Sequence, residues 1–132
     1  MAATSGKTAQ SLVAEAKQRV TNLTPAQVVE AIASGDLLLV DLREPAERVQ
    51  NGTLPNAVPA PRGMLEFYAD PASPYHRPEF DPTRRTILYC ASGGRSALAA
   101  DTLQQMGYTN VAHLDGGVKA WRESGHATNT VA

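Results

Sequence analysis

The chain has 132 residues, a formal net charge of −1, 42% hydrophobic residues and one cysteine. That length is one domain of ordinary size, the charge balance gives no electrostatic reason to expect nucleic acid, and no apolar run approaches the ~20 residues of a membrane-spanning helix. A single cysteine excludes an internal disulfide and a zinc site of the Cys-cluster kind, and a lone thiol is most at home in a reducing cytoplasm.

In chain order, Met1-Ala2-Ala3-Thr4-Ser5-Gly6-Lys7 lacks a continuous apolar stretch, so no secretory leader is expected. Leu12, Val13, Ala16 and Val20 fall on one face and predict a helix over 7–20. Thr24, Pro25 and Gln27 form a helix start, with Thr24 as N-cap, Pro25 at the first position and Gln27 completing a capping box. Val28, Val29 and Ile32 follow, and Gly35 ends that helix. The unbroken apolar run 37–40 predicts a strand buried on both faces, as in a parallel sheet. A short helix is expected over 45–48 and turns over 51–56. A short strand over 57–60 is placed at an edge or strand end by Pro59.

Residues 62–68 predict a helical stretch bearing Met64, Leu65 and Phe67, with Phe67 and Tyr68 assigned to core packing or a pocket wall. Prolines at 71, 74, 78 and 82 make 69–85 a surface excursion. Thr86-Ile87-Leu88-Tyr89 predicts a central strand and 96–106 a helix burying Ala99, Leu103 and Met106 and ending at Gly107. A strand over 110–114 and a helix over 117–124, closed by Gly125, complete the pattern. Trp121 is expected in the core, and 126–132 as a loose tail. Strands alternating with helices imply a parallel sheet with helices on both faces, whose ligand site lies beyond the carboxyl ends of the strands.

Cys90 stands at such an end, in Cys90-Ala91-Ser92-Gly93-Gly94-Arg95-Ser96. A thiol between a strand end and a helix start sits where backbone N–H groups converge, which favours an anion and a thiolate. Gly93 and Gly94 allow the backbone to curl with φ > 0. Arg95 can turn inward to the anion or outward to brace the loop on a carboxylate. Ser96 reads first as a helix-terminal brace, and its hydroxyl can also reach the sulfur. The physical reading is a cradle for a thiolate or for a sulfur-bearing anion attached to it.

This loop resembles the active-site loop of the rhodanese family of sulfurtransferases. Three further stretches, in the family's order, resemble its other signatures: Leu38-Leu39-Val40-Asp41-Leu42-Arg43-Glu44, Asn51-Gly52-Thr53-Leu54-Pro55-Asn56-Ala57 and Leu114-Asp115-Gly116-Gly117-Val118-Lys119-Ala120-Trp121. Thr53 and Asn56 depart from the family's usual His and Gly. The resemblance implies an α/β fold, a rhodanese-like three-layer sandwich with a mainly parallel central sheet between helices. It divides the chain into an N-terminal helical extension (1–23), the rhodanese-like domain (24–125) and a flexible tail (126–132).

The implied activity moves a sulfane sulfur from a donor such as thiosulfate to cyanide or a thiol through a Cys90 persulfide. Ala91, Ser92, Gly93, Gly94, Arg95 and Ser96 would bind the sulfur anion. Arg62 is either at the pocket rim or a solvated surface arginine. No cofactor and no metal are implied. The partners are a small sulfur-containing anion and a thiol or cyanide acceptor, with a protein sulfur acceptor or a second copy of the chain left open, and neither nucleic acid nor a membrane.

The alternatives are a non-catalytic binding module, and a phosphatase or arsenate reductase on the same fold. Related phosphatases place one more residue between Cys and Arg, a wider ring that suits a tetrahedral phosphate. Arsenate reduction within the chain would need a second cysteine. Asp41, Arg43 and Glu44 read as a structural cluster, in which Asp41 accepts backbone hydrogen bonds and Arg43 pairs locally. His76, His113 and His126 read as structural or surface residues.

Overall fold

A computed structural model describes residues 6–131. The expectation of no leader rests mainly on 1–5, which lie outside the described residues. Among the described residues no helix is long and apolar enough to cross a membrane.

Helix α1 (Ala9–Arg19) starts later than its periodicity suggests because Thr8 and Ser11 form a reciprocal capping box. Strand β1 (Thr21–Leu23) follows at once. Its three residues, mostly exposed, carry too little pattern to be seen in the sequence, which assigned 21–23 to the helical extension. Helix α2 (Pro25–Ser34) has the expected Thr24/Gln27 box and ends at Gly35. Strand β2 (Leu38–Asp41), helix α3 (Pro45–Asn51) and the two-residue strand β3 (Val58–Pro59) come next. A 3-10 turn (Arg62–Met64) then leads into helix α4 (Leu65–Ala69). Strand β4 (Thr86–Tyr89), helix α5 (Gly94–Gln105), strand β5 (Val111–Leu114) and helix α6 (Gly117–Glu123) complete the order.

All strand pairs are parallel, in the order β1-β5-β4-β2-β3. The chain builds outward from β2 to β3, then returns to place β4 and β5 on the other side. The order therefore reverses between β2 and β4, and that crevice is where open α/β sheets bind ligands.

Side chains alternate across the sheet. Leu38, Val40, Leu88, Cys90 and Val111 join the core beneath α4 and α5, with Leu65, Ala69, Ala99 and Leu103. Leu39, Ile87, Tyr89 and Leu114 join the opposite core, with Val28 and Ala31 of α2 and Val118 and Trp121 of α6. Each fully buried aliphatic side chain contributes roughly 2 kcal/mol.

One expectation is corrected. Phe67 is neither core nor pocket wall. Leu65 and Ala69, four apart, take the inward face of α4, and Phe67 is 50% exposed, packed edge-on against Tyr75. After α6, Thr53 and Asn129 exchange two 2.8 Å backbone hydrogen bonds, and Trp121 Nε1 donates to the Ala127 carbonyl at 3.0 Å. The excursion after α4 does run over the surface as turns, anchored by Phe80, which is buried.

Candidate active site

Strand β4 ends at Tyr89, and Cys90 follows on the α5 face of the sheet, 1% exposed. The chain must turn sharply from strand to helix, and Gly93 makes the turn with φ +103°. A Cβ there would lie 3.0 Å from the Gly116 nitrogen, so both the conformation and the space call for glycine. Gly94 has no such requirement. It is the first residue of α5 without a positive φ, and a Cβ would meet only Val13 at ordinary contact distance, 3.7 Å. The expectation that both glycines curl is corrected to Gly93 alone.

Helix α6 clamps the loop from the other side. Val118 N–H donates to the Cys90 carbonyl at 2.9 Å and Lys119 N–H to that of Ala91 at 3.1 Å. Gly117 allows this approach: a Cβ on it would sit 2.5 Å from the Ala91 and Cys90 carbonyl oxygens. These two bonds hold the Cys90 and Ala91 carbonyls against α6. Gly93 N–H donates to Cys90 Sγ at 3.1 Å, and the thiol donates to Ser96 Oγ at 3.5 Å. The first-turn N–H groups of α5 have no intrahelical acceptor. Negative charge on Sγ thus meets backbone dipoles.

Arg95 takes its outward role. Its two terminal nitrogens bond Glu47 Oε1 and Oε2 of α3, both at 2.8 Å. This fork, chiefly through the hydrogen bonds to Arg95, holds the Glu47 carboxyl at about 2 against an ordinary 4.5. It also raises Arg95 above its usual range, with Glu47 the main cause and Cys90 a lesser one.

Beneath α3, Asp41 and Arg43 are both buried. Asp41 Oδ2 accepts from Arg43, from Arg48 Nε and from the Tyr89 hydroxyl, while Oδ1 accepts from Arg43 N and Nε. Arg43 also donates to the carbonyls of Glu47 and Gly52, and its guanidinium lies 5.5 Å from the Tyr89 ring centre. Burial, with the Asp41 carboxylate beside it, pushes the Tyr89 phenol well above its usual range. This cluster is structural, tying the ends of β2 and β4 to α3. Glu44 stands at the N-cap of α3, its N–H donating to Glu47 Oε1 at 2.9 Å.

Arg62 is not gathered at the loop. It pairs with Glu66 at 2.7 Å and reaches Thr102 at 3.4 Å, roughly 12 Å along α5 from Gly94 at helical rise. A cleft of about 500 Å³ instead opens beside Ala91, with Lys119, Arg122 and Arg43 in its lining. It touches the loop at Ala91; Glu123 also lines it and Arg43 is paired with Asp41, so Lys119 and Arg122 are its two cations not already paired with Asp41. Among the described residues no group of three His, Cys, Asp or Glu side chains is placed to hold a metal.

Two polar residues near the sulfur carried no functional signal in the sequence. His113 of β5 is buried, with Nδ1 2.8 Å from Ser96 Oγ. Asn22 of β1 lies 2.6 Å from its other ring nitrogen. Neither belongs to a motif, and only the pairing of β1 with β5 (Asn22 opposite His113) and of β4 with β5 (Leu88 opposite His113) brings them near Cys90.

The family model for rhodanese-like domains matches residues 24–124. The chain belongs to the rhodanese-like family. A sulfurtransferase from Allochromatium vinosum is 39% identical over 90 residues, covering 68% of this chain and 76% of its own. Among solved structures, the polysulfide-sulfur transferase homodimer of Wolinella succinogenes has a TM-score of 0.75 at 25% identity, covering 93% of this chain and 88% of that one. A protein of unknown function from Rhodopseudomonas palustris, described as a possible tyrosine phosphatase, has a TM-score of 0.88 at 39% identity, covering 97% of this chain and 98% of that one. The rhodanese fold expected from the sequence is the fold of this chain, and the relatives place it with sulfurtransferases.

Proposed function

We propose that this rhodanese-like protein carries a sulfane sulfur as a persulfide on Cys90, taken from an anionic donor such as thiosulfate and passed to cyanide or a thiol. The Cys90 thiolate attacks the outer sulfur of the donor. A new S–S bond forms, the old one breaks, and sulfite leaves with its electron pair. The acceptor then attacks the outer sulfur and the Cys90 thiolate leaves, which is two-step covalent catalysis. With one cysteine in the chain, no resolving thiol exists within it, so discharge is intermolecular. Ala91 to Arg95 supply N–H groups around the transferred sulfur, and Ser96 a hydroxyl.

One observation carries this reading. Sγ has neutral partners, accepting from the Gly93 N–H and donating to the Ser96 hydroxyl, while the single cation of the loop is committed to Glu47. That environment suits one soft sulfur. A tetrahedral phosphate dianion would need Arg95 turned inward and a wider ring. The description of the Rhodopseudomonas neighbour keeps a phosphatase as the second reading. The short loop and the outward Arg95 weigh against it, and turnover of a phosphotyrosine analogue lost in Cys90→Ala would revive it. A lone working thiol also fits a reducing compartment.

The test is intact-protein mass spectrometry before and after thiosulfate, with Cys90→Ala alongside. A gain of about 32 Da on the wild type alone, reversed by cyanide, is expected of a covalent sulfur intermediate. A wild-type chain that gains no sulfur from thiosulfate, polysulfide or a low-molecular-mass persulfide would refute the proposal and leave a binding module.

A further inference from the structure

Four side chains on adjacent elements form a continuous hydrogen-bonded line ending at the thiol. Its polarity is fixed at the far end. Asn22 Nδ2 donates to the carbonyls of Lys17 at 2.9 Å and Val20 at 3.2 Å, so Asn22 Oδ1 is the atom that faces His113 Nε2 at 2.6 Å. An amide oxygen only accepts, so Nε2 carries the ring proton and Nδ1 is a bare acceptor. The hydroxyl of Ser96 therefore donates to His113 Nδ1 at 2.8 Å, a better bond than its alternative to the Gly93 carbonyl at 3.3 Å. That leaves the Ser96 lone pairs to accept from Cys90 S–H at 3.5 Å.

We propose that Ser96 and His113 form a proton relay for Cys90, with His113 a positioning residue that holds the thiol proton while the sulfur is anionic. The proposal rests on Cys90 being the working thiol. The transfer is balanced. The Cys90 S–H bond breaks and its proton goes to Ser96 Oγ as the Ser96 proton passes to His113 Nδ1. Thiolate and imidazolium result, and no bond of the line is lost. His113 Nδ1–H then donates to Ser96, whose hydroxyl now donates to the sulfur, and Nε2–H still donates to Asn22. When an acceptor removes the outer sulfur and Cys90 leaves with its electron pair, the same hydroxyl meets the developing charge.

The surroundings fix the resting state. Burial holds His113 down at about 4, opposed by Asp115 and assisted by Lys17, so at neutral pH the ring is unprotonated at rest, and the same burial makes the imidazolium costly, so the ring holds the proton only while the thiolate stands beside it. Lys17 and Asp115 are themselves paired at 3.0 Å. The charges facing the line are thus Lys17 from α1, Asp115 after β5, and Arg95 beside Cys90, the last neutralised by Glu47. The remaining counter-charge for the imidazolium is the thiolate made in the same step, one hydroxyl away.

The test is alkylation of Cys90 by iodoacetamide across pH. It needs the thiolate but no sulfur donor, and the chain has no other cysteine. Asparagine at position 113 can hydrogen-bond but cannot take a proton. His113→Asn and Ser96→Ala should each slow alkylation at pH 7 by about tenfold. Each should regain the wild-type rate at high pH, and the double variant should be no slower than the slower single. If His113→Asn fails to fold by circular dichroism, Ser96→Ala bears the same expectation. An unchanged pH profile in Ser96→Ala, or faster alkylation in either variant, would overturn the relay. Loss of persulfide loading with these alkylation shifts intact would instead overturn the proposed sulfur transfer and leave the relay standing.

Discussion

Replacing Glu47 by glutamine isolates the charge that holds the active-site loop to α3. Glutamine keeps an oxygen for the Glu44 N–H, which Glu47 Oε1 accepts at 2.9 Å, and so preserves the helix start. What it removes is the ionic fork to Arg95, two 2.8 Å bonds. A carboxyl held at about 2 instead of 4.5 corresponds to an upper value of about 3.5 kcal/mol at roughly 1.4 kcal/mol per pH unit. The Arg95 side chain is 37% exposed and that of Glu47 31%, so solvent screening reduces this to about 1 kcal/mol. The sign follows from the depressed value. Stability from this pair is fully present above pH 4.5, where the unfolded carboxyl is also ionised, and is lost as pH falls toward 2. Urea unfolding of wild type and Glu47→Gln should differ by about 1 kcal/mol at pH 7, and the gap should close between pH 4.5 and pH 2. A gap that does not shrink with acid, or a variant as stable as wild type at pH 7, would refute the role assigned to the pair.

The two loop glycines should behave oppositely. Gly93→Ala places a Cβ at φ +103°, 3.0 Å from the Gly116 nitrogen, and should cost at least about 1–2 kcal/mol in thermal denaturation along with most of the persulfide loading. Gly94→Ala meets only the Val13 methyl at 3.7 Å and should be neutral or gain about 0.4–1 kcal/mol with loading retained; equal effects would show that the loop does not depend on the Gly93 conformation. Asp41→Ala strips the buried Arg43 of its carboxylate and should cost about 3–5 kcal/mol by urea unfolding. A loss below about 1 kcal/mol would mean that the Arg43 bonds to the Glu47 and Gly52 carbonyls suffice.

What the sequence made legible follows the range over which its signals act. The Thr24/Gln27 cap, the apolar runs of β2 and β4 and the strand–Cys–Gly–helix order are local, and they place Cys90 at the carboxyl end of a central strand. The orientation of Arg95 was not legible, because both of its partners were plausible by charge and only the position of α3 over the loop decides for Glu47. Gly94 looked equivalent to Gly93, yet its backbone already belongs to α5. β1 was missed because three residues, two of them exposed, carry no periodicity, and with it went Asn22. His113 was legible as a strand residue, but what it touches depends on the pairing of β4 with β5 and on the turn of α5 that carries Ser96.

These long-range placements share a physical consequence. The loop around Cys90 is fixed from three sides: by α6 through the Cys90 and Ala91 carbonyls, by α3 through Arg95 and Glu47, and by β5 through His113 and Ser96. Each attachment uses a group other than the sulfur, so the sulfur transfer proposed above would change Sγ without breaking any of the three. Preorganised dipoles aimed at such an atom need no rearrangement when charge develops on it. The outward fork of Arg95 is part of the same arrangement. A guanidinium held against Sγ would stabilise the thiolate as a resting ion pair, and that attraction would have to be lost when the thiolate becomes a neutral sulfide in the disulfide-like linkage. Neutral N–H donors give less to the ground state, which favours an atom that must both attack and leave.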